Sequence, residues 1–160
     1  MKRIWNAIYR LVLALWVGGV AIFTFLVTPI IFRSFSRDQA GEVVGHIFPV
    51  YFPYLLALAA VALVAFLLGK DERSSVAAGL PVLLLVGALA VDAYVTFKLH
   101  PDIVEVKRGV ASFEREPPES QARKRFGKLH ALSAALNLLI LVDGVVLLLI
   151  GPAIRNRSTL

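Results

Sequence analysis

The sequence predicts an all-α integral membrane protein, a four-helix bundle with a short interfacial amphipathic helix between spans 1 and 2. Three observations carry that reading. Of 160 residues, 58% are hydrophobic and the mean hydropathy is +0.76, well above the roughly half apolar content of soluble domains. Uncharged or nearly uncharged runs recur at about 11–32, 48–69, 76–99 and 129–150, each near the ~20 residues that cross a bilayer core. Finally, the polar residues inside those runs fall at helical spacing, so they share faces that must meet protein, because lipid offers an amide or a carboxyl no partner. Residues 1–160 therefore read as one membrane domain, with a mobile polar connection over 101–125.

In chain order, Ile4, Trp5, Ile8 and Tyr9 oppose Lys2, Arg3 and Arg10 in an interfacial first turn. Leu11 to Phe32 holds no charge and is too long for a signal-peptide core, which predicts an uncleaved first span. Ala7, Ala14, Gly18 and Ala21 make one small-residue stripe where another helix, from this chain or from an oligomeric partner, can approach. Thr24 and Thr28 can bond back to their own helix beside Pro29. Ser36 with Gln39 forms a capping box that opens the amphipathic segment Ala40, Val43, Val44, Ile47 and Phe48. Pro49 and Pro53 then suit the first turns of span 2, with Tyr51 and Tyr54 at head-group level. Ala57 and Ala60 thin its packing surface, and Lys70-Asp71-Glu72-Arg73 is a tight charged turn with Ser74 or Ser75 as the next cap. Pro101 closes span 3 at His100, Ser120 can cap the helix leading into span 4, and Gly151-Pro152 ends it.

Two constellations carry possible chemistry. Asp92, with Thr96 one turn on, and Ser133, Asn137 and Asp143 are intramembrane polar residues, with Asp92 and Asn137 the preferred buried pair and Asp143 nearer Asn6 or Arg10. A charged side chain at the bilayer centre costs about 3 kcal/mol on insertion scales, so Asp92 is either a ligand or proton site or interhelical glue. His46, His100 and His130 all fall at one membrane face near Glu42 and Asp102. Imidazoles and carboxylates suit zinc, copper(II) or iron, although no His-x-x-x-His spacing accompanies them and interfacial histidines are common. The absence of cysteine removes disulfides and thiolate ligands, and no catalytic residue is assigned.

The 17 basic residues sit in connections and at the ends, where anionic head groups are their partners. No aromatic platform or nucleic-acid fold accompanies them. Lys2, Arg3, Arg10, Lys70, Arg73, Arg155 and Arg157 lie on the terminal face. The other ten lie on the histidine face, which the positive-inside rule makes cytoplasmic in a bacterial inner or plasma membrane.

Phe32 to Arg37, continuing through Ile47 to Phe52, resembles the first connection of the transmembrane-protein-205-like family, and Phe126, His130, Leu132, Ser133 and Asn137 resemble the start of its fourth span. The resemblance covers essentially the whole chain, loosely in span 3. It implies a four-span membrane domain of unestablished activity and no catalytic residue. Eukaryotic members are associated with metal-drug tolerance and vesicle traffic, but this chain lacks the cysteines a soft-metal pathway favours. Leu15-Trp16-Val17-Gly18-Gly19 is more distantly similar to helices of copper-resistance D-type membrane proteins. Three functions follow: a small binding or permeation protein with a polar intramembrane site, a scaffold or assembly subunit, or a metal-dependent protein using the histidines.

Overall fold

Apolar runs flanked by charge become four long helices, because each backbone N–H and C=O in hydrocarbon must be satisfied within its own segment. A computed structural model describes residues 1–69 and 79–156. Helix α1 spans Lys2–Ser34, α2 Arg37–Gly69, α3 Gly79–Arg108 and α4 Gln121–Asn156. All four are long and apolar enough to cross a membrane. The protein is a multi-pass, all-α membrane bundle. The charged turn at Lys70–Arg73 and the caps at Ser74 and Ser75 lie outside the described residues.

Several boundaries differ from the expected ones, each for an identifiable reason. The capping box forms, with Gln39 N–H donating to Ser36 Oγ (3.4 Å) and Ser36 N–H to Gln39 Oε1 (3.3 Å). It starts a helix that does not stop at the membrane surface. The amphipathic segment runs on into span 2 as one 33-residue helix, with Pro49 and Pro53 in its interior instead of at its start. Likewise, α3 continues past Pro101 to Arg108, and α4 passes Gly151-Pro152 to Asn156. A proline cannot donate to the carbonyl four residues back, and α1 and α3 absorb that loss in the same way. Each opens into one wide π turn, Phe23–Val27 and Val95–Leu99, that ends two residues before Pro29 and Pro101. Thr24 and Thr96 sit in those turns.

Helix α1 packs on α2, α2 on α3, α3 on α4, and α4 closes back on α1. The core is a layered set of large side chains, Leu13, Trp16, Leu55, Leu85, Leu99 and Leu147, all essentially inaccessible. Leu11, Phe25, Val50, Leu83, Phe97 and Leu149 point outward and are strongly exposed, the surface that acyl chains cover. On α2 the inward alanines are Ala59, Ala62 and Ala65; Ala57 is exposed and Ala60 only half-buried.

Close helix approach does not use the Ala7/Ala14/Gly18/Ala21 stripe. Ala7 and Ala14 are exposed, and a side chain at Gly18 would meet open space. Within the chain α1 presents instead the row Tyr9, Val12, Leu13, Trp16 and Val20. The tight contacts fall at Gly69, where a Cβ would come within 2.6 Å of Asn6 Oδ1, and at Gly144, where it would come within 2.8 Å of Val17 Cγ2.

Gly144→Ala should therefore destabilise, since a β-branched Val17 cannot swing aside cheaply. Overpacking of about 1–3 kcal/mol outweighs the ~0.5–1 kcal/mol that alanine gains over glycine within a helix. Gly87→Ala, which adds its methyl to open space, should leave stability equal or slightly higher. Thermal midpoints of the two variants in one detergent check this, and equal midpoints would contradict the packing.

Candidate functional site

The site is built at the end of the bundle where α1 stops, α2 starts, α3 ends and α4 begins. Ala40, Val44 and Phe48 recur every four residues and turn one row of α2 inward. A cavity of about 320 Å³ lies against that row, lined among others by Phe48, Phe52, His100, Lys107, Phe126 and His130. A second cavity of about 150 Å³ shares Phe48, Phe52, His130 and Ser133 with the first and reaches Thr24, Tyr51 and Asn137. The two adjoin and lead from the membrane face toward the bundle interior.

The three histidines share this face but not one position. His100 packs edge-on to Phe48 (5.9 Å between ring centroids) and tilted against Phe52 (5.4 Å). His130 stacks on Phe126 at 5.9 Å with rings 5° apart. Both line the larger cavity. His46 does not. Two residues from both Val44 and Phe48, it points about 200° away from the inward row and is exposed, its Nδ1 donating to the Glu42 carbonyl at 2.9 Å. Asp102 is held by Lys98 at 3.0 Å. Among the described residues no three or more His, Cys, Asp or Glu side chains gather as a metal site would need.

The loop after α3 is shorter and better tied than the polar connection expected over 101–125. Asp38 at the head of α2 accepts from Ser112 Oγ (2.5 Å) and from Phe113 N–H (2.9 Å). Arg37 N–H donates to Glu114 (2.8 Å), and the Arg123 guanidinium donates to the Glu116 carbonyl (2.7 Å). Phe113 is buried against Phe126, ring centroids 4.4 Å apart. Ser120 then caps α4 by accepting from Arg123 N–H at 3.2 Å. The Ser112 hydroxyl, followed by the loop N–H groups and the nearby Lys107 charge, holds the Asp38 carboxyl below its ordinary range.

Deeper in the bundle, the polar residues pair differently from the sequence-based expectation. Asn137 does not meet Asp92. Its Oδ1 accepts from Tyr51 Oη at 2.9 Å and its Nδ2 donates to Thr24 Oγ1 at 2.8 Å. One amide thereby bridges α4 to α2 and α1. Thr24 serves this contact between helices, and Tyr51, expected among head groups, is buried and stacked on Phe23 at 4.4 Å. Asp143, six residues beyond Asn137 and about 120° around α4, lies within Coulombic reach of Asp92 and of Tyr9. Asn6 instead lies against Gly69. Asp92, at 2% exposure, is the buried charged residue of the core, and it also stands within Coulombic reach of Tyr51.

Four buried polar atoms among the described residues have no hydrogen-bond partner: Trp16 Nε1, Asp92 Oδ2, Thr96 Oγ1 and Asp143 Oδ2. Each such orphan costs about 1–3 kcal/mol. Two carboxyl oxygens left so in a low-dielectric interior call for a proton, a cation or water. Ser133 lies between the two regions, in the wall the cavities share. Tyr51, Thr24 and Tyr9 are polar members of this interior that periodicity alone did not single out. The aromatic run Phe48 to Tyr54 was a signal for a special stretch, but not for its depth.

Residues 11–112 match a family described as a domain of unknown function, DUF4149. The match includes Thr24, Tyr51 and Asp92 and stops before Asn137 and Asp143. A protein of Aquifex aeolicus (strain VF5), described as uncharacterized, is 33% identical over 140 residues, which cover 86% of this chain and 91% of that one. No solved structure matches.

Two outcomes test the site's construction. Asp38 contributes stability that is complete above the ordinary carboxylate pKa, because its folded pKa is lowered, and that is lost as pH falls through the lowered value. Asp38→Asn should thus lie below the parent in thermal midpoint at neutral pH, with the gap closing on acidification; a constant gap would contradict the loop contacts. Tyr51→Phe leaves Asn137 one bond short and should cost about 1–3 kcal/mol, read as a lower midpoint in detergent.

Proposed function

We propose that this chain, which belongs to the DUF4149 family of unknown function, is a small binding or permeation protein whose intramembrane site is the carboxyl pair Asp92 and Asp143. The observation that carries this is the 2% exposure of Asp92 with its Oδ2 unpartnered, and, within Coulombic reach, the half-buried Asp143 with an unpartnered Oδ2 of its own. Structural glue alone favours satisfied groups, as Asn137 shows with a bond at each end. A proton or small cation satisfies carboxyls that the protein leaves short. Hydrogen bonds join Tyr51, Asn137 and Thr24, Coulombic interaction alone links Tyr51 to Asp92, Asp92 to Asp143 and Asp143 to Tyr9, and the smaller cavity reaches Tyr51, Asn137 and Thr24 without reaching either aspartate. Thr96 adds a hydroxyl one turn from Asp92, and Ser133 one at the cavity wall.

The likeness to the transmembrane-protein-205-like family is consistent with this reading and brings no chemistry of its own. Ten basic residues against seven favour a cytoplasmic histidine face, with anionic head groups around it, and the Aquifex relative fits a bacterial membrane. Two histidines on one cavity, with the third turned away, give a metal centre little support.

Purified protein in liposomes, with a pH-sensitive dye inside, tests the proposal. The parent should collapse an imposed proton or cation gradient faster than empty liposomes, and Asp92→Asn and Asp143→Asn should each slow it about tenfold or more. Infrared difference spectra between acid and alkaline buffer should show a protonated-carboxyl band that Asp92→Asn removes. A parent indistinguishable from empty liposomes, or an Asp92→Asn variant that matches the parent in both flux and band, would end this reading.

The second reading, an assembly partner, rests on the stripe of Ala7, Ala14, Gly18 and Ala21, of which Ala7 and Ala14 are exposed and Gly18 and Ala21 half-buried, with open space beside Gly18. Gly18→Leu should convert a detergent-stable oligomer to monomer; a parent that is already monomeric removes this reading.

A further inference from the structure

We infer that the larger cavity at the histidine face is a binding site for an acidic phospholipid, with the phosphate at a basic rim and the start of an acyl chain over the aromatic floor. Its volume of about 320 Å³ falls at the lower end of the roughly 300–1,000 Å³ of small-ligand sites. Charge complementarity commits it to an anion. Arg37, Lys107 and Arg123 stand in its lining against a single acid, Asp38, and that carboxylate is already taken by Ser112 and Phe113. Glu114, nearby in the loop, is turned to the Arg37 backbone N–H.

The cations keep capacity to spare. Lys107 Nζ gives one hydrogen bond, to the Gly41 carbonyl at 2.8 Å, of the three an ammonium can make. Arg123 gives one, to Glu116, of the five in a guanidinium. The Arg37 guanidinium meets no acceptor among the described residues. A phosphate is the acceptor such a set lacks.

The floor selects a lipid over a free anion. Phe48, Phe52, Ile103, Val104 and Phe126 supply apolar wall below the cations, a surface that a hydrated phosphate leaves empty and a methylene chain covers. The site also lies at the membrane face, where Phe32, one of its lining residues, is 42% exposed. This inference does not depend on the carboxyl pair, since Asp92 and Asp143 line neither cavity.

The test is native mass spectrometry of the full-length protein in detergent, titrated with phosphatidylglycerol and, separately, with phosphatidylcholine of the same chains. Phosphatidylglycerol should be retained preferentially. The double variant Arg37→Gln/Arg123→Gln should weaken its retention roughly tenfold, as loss of two cation contacts implies, and Arg37→Lys/Arg123→Lys should largely restore it. Gly41→Leu keeps every cation and directs bulk toward Lys107, 4.0 Å from the position of its Cβ; it too should weaken retention. Asp92→Asn should bind the lipid as the parent does, which separates this site from the proton or cation site. Equal retention of the two lipids, undiminished retention in Gly41→Leu or the glutamine double variant, or complete release of phosphatidylglycerol by inorganic phosphate would each overturn the inference.

Discussion

A carboxamide inside hydrocarbon must find its partners within the protein, and the way Asn137 does so organises the bundle. Its two hydrogen bonds, to Tyr51 and to Thr24, tie α4 to α2 and α1 at one level. Leucine and alanine contacts exclude lipid over a broad area but tolerate sliding and rotation, because dispersion is nearly non-directional. A satisfied amide tolerates neither, since a turn of α4 by one residue would leave three polar groups orphaned. Stacking of Phe23 on Tyr51 holds the phenol in place for that bond.

With α4 set this way, the remaining polar groups divide. Asn137, Tyr51 and Thr24 are paired, while Asp92, Thr96 and Asp143 retain unpartnered oxygens and Trp16 an unpartnered indole N–H. The wide turns contribute to both outcomes. They arise because Pro29 and Pro101 withhold a donor, and they carry Thr24 into the paired set and Thr96 into the unpaired one. Backbone irregularity and polar chemistry thus coincide in α1 and in α3, as they do where a bundle lines a ligand path.

The membrane face is assembled by a different force. Asp38, placed at the head of α2 by the capping box, gathers the loop after α3 through Ser112 and Phe113, and Phe113 then covers Phe126. Polar anchoring outside the bilayer and aromatic burial at its edge together roof the cavity that His100 and His130 line. The chain folds a charged loop inward because its acceptors and donors are matched there, although the loop's composition, with Glu114-Arg115-Glu116-Pro117-Pro118-Glu119, reads as solvated turn.

Four apolar runs, the Ser36–Gln39 box, the Ser120 cap and the need of Asn137 to meet protein instead of lipid were legible from the chain alone, because they depend on local periodicity and on the cost of polar groups in lipid. Partner choice was not. The preferred Asp92–Asn137 pair, the head-group position of Tyr51, the three-histidine cluster and the packing stripe at Gly18 all required knowing how one helix is rotated against another. Each differs because that rotation is a property of the whole bundle. Sequence determined that a polar interior must exist and roughly at what depth; only tertiary structure decided that Tyr51 and Thr24 satisfy Asn137, that a side chain at Gly69 or Gly144 would collide with the neighbouring helix, and that Asp92 and Asp143 each keep an unpartnered oxygen. The physical reason is that periodicity fixes which residues share a face of one helix, whereas the partner across the interface is chosen by packing summed over all four.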